Sequence, residues 1–182
     1  MEIFKIVKDN KASIREASKP ITMPLDEKLK TTLLDMIEYL KLSQDEDWSK
    51  EHNVRSGVGL AAPQIGMNIN MLAIYYLDEK NKEHEFAFVN PKIISTSVKL
   101  AYLAGGEGCL SVDKEHPGYV YRPYKVTMKA FNLLTNKEEE HVFTGFGSMV
   151  FQHEFDHLKG VLFYDHIDKD DPMKKIPGAI EL

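Results

Sequence analysis

Apolar residues at Leu29, Leu33, Met36, Ile37 and Leu40 recur every three or four positions through "MPLDEKLKTTLLDMIEYLKLS", the spacing of one helix face. Acidic residues stand early and Lys41 late, so the pattern predicts an amphipathic helix over about 25–42. The polar stretch "QDEDWSKEHNVRSG" that follows reads as a loop or a short surface helix. Then the pattern changes. "NMLAIYYL" (70–77) and "EFAFVNPKII" (85–94) read as strands around the polar turn "DEKNKEH". "KVTMKAFNLL" (125–134) alternates, and "TNKE" followed by "EEHVFTG" completes a hairpin. A helical period returns in "GSMVFQHEFDHLKG" with Met149, Val150, Phe151, Phe155 and Leu158, and Gly160 marks its end. Pro172, Pro177 and Gly178 argue against a long helix in the tail. The expected fold class is α+β, with mostly antiparallel sheets packed around the late helix, in one domain over 1–182.

Charge and composition remove several classes of function. The net charge is 23 − 28 = −5 with both signs interspersed, which argues against a nucleic-acid or anionic-membrane binder driven by counterion release. No stretch approaches the roughly 20 apolar residues of a membrane span. The charged start "MEIFKIVKDNKASIREASKP" has no signal-peptide core. A single cysteine cannot form an internal disulfide, so a cytoplasmic location is expected.

Chemistry concentrates on the late helix. "HEFDH", His153 to His157, places two imidazoles at i and i+4, about 40° apart around the helix, so both can reach one ion. Glu154 points beside that ion, where it can hold a water and take its proton. Two surface histidines are the competing reading, and the apolar neighbours Val150, Phe151, Phe155 and Leu158 count against it. A catalytic site of this kind takes a third ligand. A histidine six residues after the second is ruled out, because that position is Phe163. His166 is conceivable. Cys109, in the glycine-rich "GGEGCLSV", is the better candidate because a thiolate is a strong ligand, although a free cysteine is more often a small buried hydrophobe. A thiol nucleophile with His116 or His141 as base is unnecessary beside a water-activating motif.

"SGVGLAAPQIG" (56–66) superficially matches a dinucleotide fingerprint, but no strand precedes it and Pro63 interrupts the expected helix. It reads better as a tight chain of small residues where backbone or Gln64 approaches a ligand, or as a structural turn.

Three stretches together resemble the peptide deformylases: "GVGLAAPQ" (57–64), "EGCLS" (107–111) and "QHEFDHLKG" (152–160), all in order and without a mismatch. The surrounding loops look closest to the longer Gram-positive-type form. "DNKASIR", Asp9 to Arg15, departs from the family's D-G-x-P-x-L-R. The resemblance implies hydrolytic removal of the formyl group from formyl-methionine of new polypeptides, with Cys109, His153 and His157 as ligands of one divalent ion. Fe2+ is the expected ion, with Zn2+, Ni2+ or Co2+ able to substitute. Glu154 is the implied proton carrier, and the Gln64 side chain and Leu110 N–H are implied oxyanion donors. The substrate is expected against Val58, Gly59, Gly108 and Tyr119 of the "PGYVY" loop, with its methionine beside Phe146, Met149 and Val150. Glu107, Arg122 and Asp156 are expected to fix the ligand loop against the helix. The expected partner is a formyl-methionyl nascent chain, with contact to the ribosome and a monomeric state as further expectations. A zinc endopeptidase or amidase with His166 as third ligand is the rival enzyme, and a metal-binding or redox-sensing module the rival outside catalysis.

Overall fold

The computed structural model describes residues 3–182. Its first long element, α1 (Glu27–Ser43), begins where the Asp26 carboxylate accepts the Leu29 N–H at 2.9 Å, satisfying one of the free donors of the first turn. Leu33, Met36, Ile37 and Leu40 are buried along one face, as their spacing requires, each worth about 2 kcal/mol of apolar transfer. The short α2 (Glu46–His52) follows, capped by Asp45 and closed by Asn53 in the left-handed conformation.

Five strands form the main sheet: β1 (Gly59–Ala61), β2 (Met71–Leu77), β3 (Glu83–Thr96), β6 (Lys125–Asn132) and β7 (Lys137–Thr144), ordered β1-β2-β3-β6-β7 and antiparallel throughout. β2 reads as a continuous apolar run because both of its faces are covered. Met71, Ala73 and Tyr75 join the core under α1, and Leu72, Ile74 and Tyr76 join the core on the other side. Alternate side chains of a strand point to opposite faces, so the two cores share one strand. The second core is built on α3 (Gly145–His157), which contributes Val150 and Phe151 and continues through Leu158. Phe151 stacks on Phe143 of β7 with ring centres 5.1 Å apart.

A small sheet, β4 (Leu100–Tyr102), β5 (Arg122–Pro123) and β8 (Ile180–Glu181), stands apart, and its β4–β8 pair is parallel. It braces the late helix. Gln152 of α3 donates to the Pro123 carbonyl at 2.9 Å, and Ser148 Oγ donates to the same carbonyl at 2.9 Å. Beyond the helix, Gly160 adopts φ +71° against the backbone of Arg15, where any Cβ would collide with the Arg15 carbonyl. The N-terminal segment is pinned there by a Ser18 N–H to Leu158 carbonyl bond of 2.8 Å. The α+β architecture and the position of the late helix match expectation, and the tail holds no long helix.

Candidate active site

α3 carries His153, Glu154 and His157 on the side turned towards the loop between β4 and β5, and that loop carries Cys109. The ligand atoms of Cys109, His153 and His157 lie within 4.8 Å of one another. Cys109 Sγ is 3.3 Å from His157 Nε2, close to the edge of about 3.6 Å that a tetrahedral site with thiolate and imidazole ligands would have. His157 is 1% exposed, and its Nδ1 has no hydrogen-bond partner among the described residues. Burial pushes its pKa well below the ordinary value, which keeps the imidazole neutral as a ligand must be. A buried soft thiolate and two imidazoles converging on one point fit a divalent transition-metal ion.

The other nitrogen of His153 is held from behind. Its Nδ1 lies 2.8 Å from Glu107 Oε2, so Nε2 is the atom left to face Cys109. Glu107 accepts two bonds from Arg122, Nε at 2.7 Å and Nη2 at 3.0 Å, and Arg122 Nη1 donates to Asp156 at 2.7 Å. Arg122 is only 3% exposed, so its charge is tolerated through these paired carboxylates. Burial works against the Glu107 carboxylate, yet the bonds from His153 and Arg122 outweigh it and hold its pKa at about 2. His166 closes the far end of the chain, 2.8 Å from Asp156 and away from the three ligand atoms.

Glu154 is 4% exposed and its Oε2 has no partner among the described residues. Burial raises its pKa to about 7. A carboxyl group poised there can both accept and return a proton near neutrality. It lines a cavity of about 320 Å³ together with Gln64, Cys109, Leu110 and His153. Gln64 sits on the turn after β1, its Oε1 taking the Ala61 N–H at 2.8 Å. That bond aims its amide at Ser111 Oγ (3.2 Å) and Cys109 Sγ (3.5 Å). The Ser111 N–H also points at Sγ, at 3.4 Å. Among the described residues the Leu110 N–H makes no hydrogen bond.

Val58, Gly59, Gly108, Phe146, Met149 and Val150 all line the same cavity. Tyr119 does not. Its ring packs on Tyr102 and Tyr121 at 4.5 and 6.4 Å, because the chain after Val112 turns away to meet Phe163, and Gly118 is pressed against Ile167. The "PGYVY" loop therefore stands outside the cavity. Conversely, Arg55 and Leu103 line it without having been singled out from sequence. Arg55 lies in the polar stretch before the glycines, where nothing in the pattern separates it from a solvated charge.

The family model described as polypeptide deformylase matches residues 3–173. The chain is 46% identical over 178 residues to a peptide deformylase of Staphylococcus epidermidis, covering 97% of each, and 44% identical over 180 residues to peptide deformylase 2 of Bacillus subtilis, covering 97% of this chain and 96% of that one. Among solved structures it is similar to peptide deformylase 1B of Arabidopsis thaliana in complex with an inhibitor, with TM-score 0.74, 31% identity, and coverage of 92% of this chain and 83% of that one. A class I type b peptide deformylase of Acinetobacter baumannii with Met-Ala-Ser bound gives TM-score 0.72 at 28% identity, covering 91% of this chain and 99% of that one. These matches span the strands, the ligand loop and the late helix alike, and the chain belongs to the polypeptide deformylase family, metal-dependent hydrolases that remove the N-terminal formyl group from newly made polypeptides.

Proposed function

We propose that Cys109 Sγ, His153 Nε2 and His157 Nε2 hold one divalent ion, ferrous iron in the cell, and that Glu154 carries the proton of the reaction. When bound, the ion would supply Lewis acidity to the reacting carbonyl. Glu154 takes a proton from the attacking water and hands it to the amine that leaves, since an amine departs poorly as an anion. The Gln64 amide and the Leu110 N–H donate to the oxygen on which negative charge develops, each worth about 3 kcal/mol in a dry site. The formyl-methionyl side chain enters between Phe146, Met149 and Val150. The peptide runs extended along β1, which stands at the edge of the main sheet with one side unpaired among the described residues.

The observation that carries this reading is the buried carboxyl of Glu154, raised to about 7 and with Oε2 unpartnered among the described residues, on the same cavity wall as Cys109 and His153. A zinc endopeptidase with His166 as ligand is less well supported, because His166 is bound to Asp156 instead. No helix among the described residues is long and apolar enough to cross a membrane. We place the enzyme in the cytoplasm, as a monomer that acts as one catalytic domain and meets its substrate at the ribosome. The test is formate release from formyl-Met-Ala-Ser without oxygen, comparing iron- and zinc-loaded protein. Faster turnover by the iron form supports the assignment, and equal or faster turnover by the zinc form contradicts it.

A further inference from the structure

Arg55 is exposed, yet both terminal nitrogens of its guanidinium are engaged with the ligand loop. Nη2 donates to the Cys109 carbonyl at 3.0 Å and to the Leu110 carbonyl at 2.7 Å, and Nη1 donates to the Val112 carbonyl at 3.1 Å. The Cys109 carbonyl belongs to the same peptide unit as the Leu110 N–H. That unit is therefore gripped at its oxygen end by a cation and by the Val112 N–H at 3.1 Å, while its N–H end stays free at the cavity. A charged donor on an amide oxygen favours the dipolar resonance form, which makes the N–H at the other end a stronger donor. It also fixes the plane of the unit and hence the direction of the N–H.

The grip is braced from the other side. Lys8 Nζ donates to the Leu110 carbonyl at 2.9 Å, and the Asp113 carboxylate pairs with both Lys8 (2.8 Å) and Arg55 (3.1 Å). The neighbouring backbone ties the same parts together: Val7 N–H donates to the Gln64 carbonyl at 2.8 Å and Asp9 N–H to the Ser111 carbonyl at 2.9 Å. Exposed ion pairs of this kind contribute little stability by themselves. Three carbonyls converging on one guanidinium are explained by geometry rather than by stability, and only a planar fork can span them.

We propose that Arg55 is a positioning residue for deformylation, holding and polarising the Cys109–Leu110 peptide unit so that its N–H meets the reacting oxygen. The proposal rests on the role given above to the Leu110 N–H. Losing the grip lowers kcat on the order of tenfold, because an oxyanion donor misdirected by a fraction of an ångström loses much of its effect.

Arg55→Met is expected to lower kcat on formyl-Met-Ala-Ser with little change in KM, and to move the Leu110 amide proton resonance upfield. Arg55→Lys, which keeps the charge but not the fork, recovers only part of the rate. Thermal melting checks that each variant is folded, and if Arg55→Met is not, Arg55→Lys and its amide resonance decide. An amide-to-ester substitution at Leu110, which removes the N–H and also weakens the Cys109 carbonyl as an acceptor, tests the peptide unit itself, while the Arg55 variants test the grip on it. If the ester lowers kcat and Arg55→Met in that background lowers it no further, both stand. If the ester lowers kcat but the Arg55 variants do not, the role of Arg55 is overturned. If the ester has no effect, the Leu110 reading fails and Arg55 falls with it. A rise in KM with kcat intact makes Arg55 a substrate contact and overturns the proposal.

Discussion

Gly59→Ala puts one methyl group where the structure has no room for it. A Cβ built on Gly59 lies 2.6 Å from both Cγ and Cδ of Glu154 and collides with Oε1. Ordinary contact needs about 3.6 Å, so the carboxyl group must retreat by roughly 1 Å. The backbone cannot supply that retreat, because Glu154 stands between His153 and His157 on one helix and Gly59 is paired with Ile74 across the sheet. The movement falls on the Glu154 side chain, into an off-rotamer or reoriented position costing about 1–3 kcal/mol of stability. A displacement of that size at a proton carrier reduces turnover on the order of 100-fold. The assay is kcat for formate release with the metal content and melting temperature of the same sample. The expected variant stays folded, keeps its ion and loses most of its turnover. A Gly59→Ala enzyme with turnover within a factor of about three of the parent would refute the idea that Gly59 is small to admit Glu154.

Arg122→Met strands the buried Glu107 and Asp156 carboxylates and should cost about 3–5 kcal/mol, a fall in melting temperature of about 10 °C, with weaker metal binding because His153 loses its fixed backing. A thermal melt within 2–3 °C or so of the parent would show that the network is expendable. Asp78 titrates at about 2 because of the bond from His84 and the Lys82 and Lys80 N–H groups. Its folded pKa lies below its ordinary 3.8, so its stabilising contribution is complete above 3.8 and is lost as pH falls towards 2. NMR titration should show that midpoint, and His84→Ala should move it part of the way back. The iron-loaded enzyme should lose activity in air through oxidation at Cys109, and stable activity over the same period would contradict a thiolate on ferrous iron.

The elements visible in the sequence are those whose pattern follows from burial alone. α1 has one buried face and appeared at helical spacing, and β6 alternates because one face meets the core under α3. β3 extends beyond its apolar run, to Glu83 and Thr96, because the ends of a hairpin pair through backbone bonds whatever their side chains are. The small sheet was hidden for a stronger reason. Its strands have two or three residues, and the β4–β8 pair joins Ala101 to Ile180 across most of the C-terminal half, so no local period exists to find. At the site, His153 and His157 announce themselves through i, i+4 spacing, whereas Cys109 ranks above His166 through thiolate chemistry, to which the resemblance adds the motif around it. The resemblance implies a substrate contact at Tyr119, but the packing of Val112 and Val120 on Phe163 turns that segment away from the cavity. Arg55 went unnoticed because its acceptors are backbone carbonyls, which sequence does not display.

The central claim is that Cys109, His153 and His157 hold one ion while Glu154 alone moves the proton, and Glu154→Gln tests it most directly. Metal stoichiometry and formate release from formyl-Met-Ala-Ser should be measured on the same anaerobic sample. The expected result is one divalent ion per chain with turnover reduced by a factor on the order of 10³. Substantial residual turnover, or an ion lost along with the carboxylate, would contradict it.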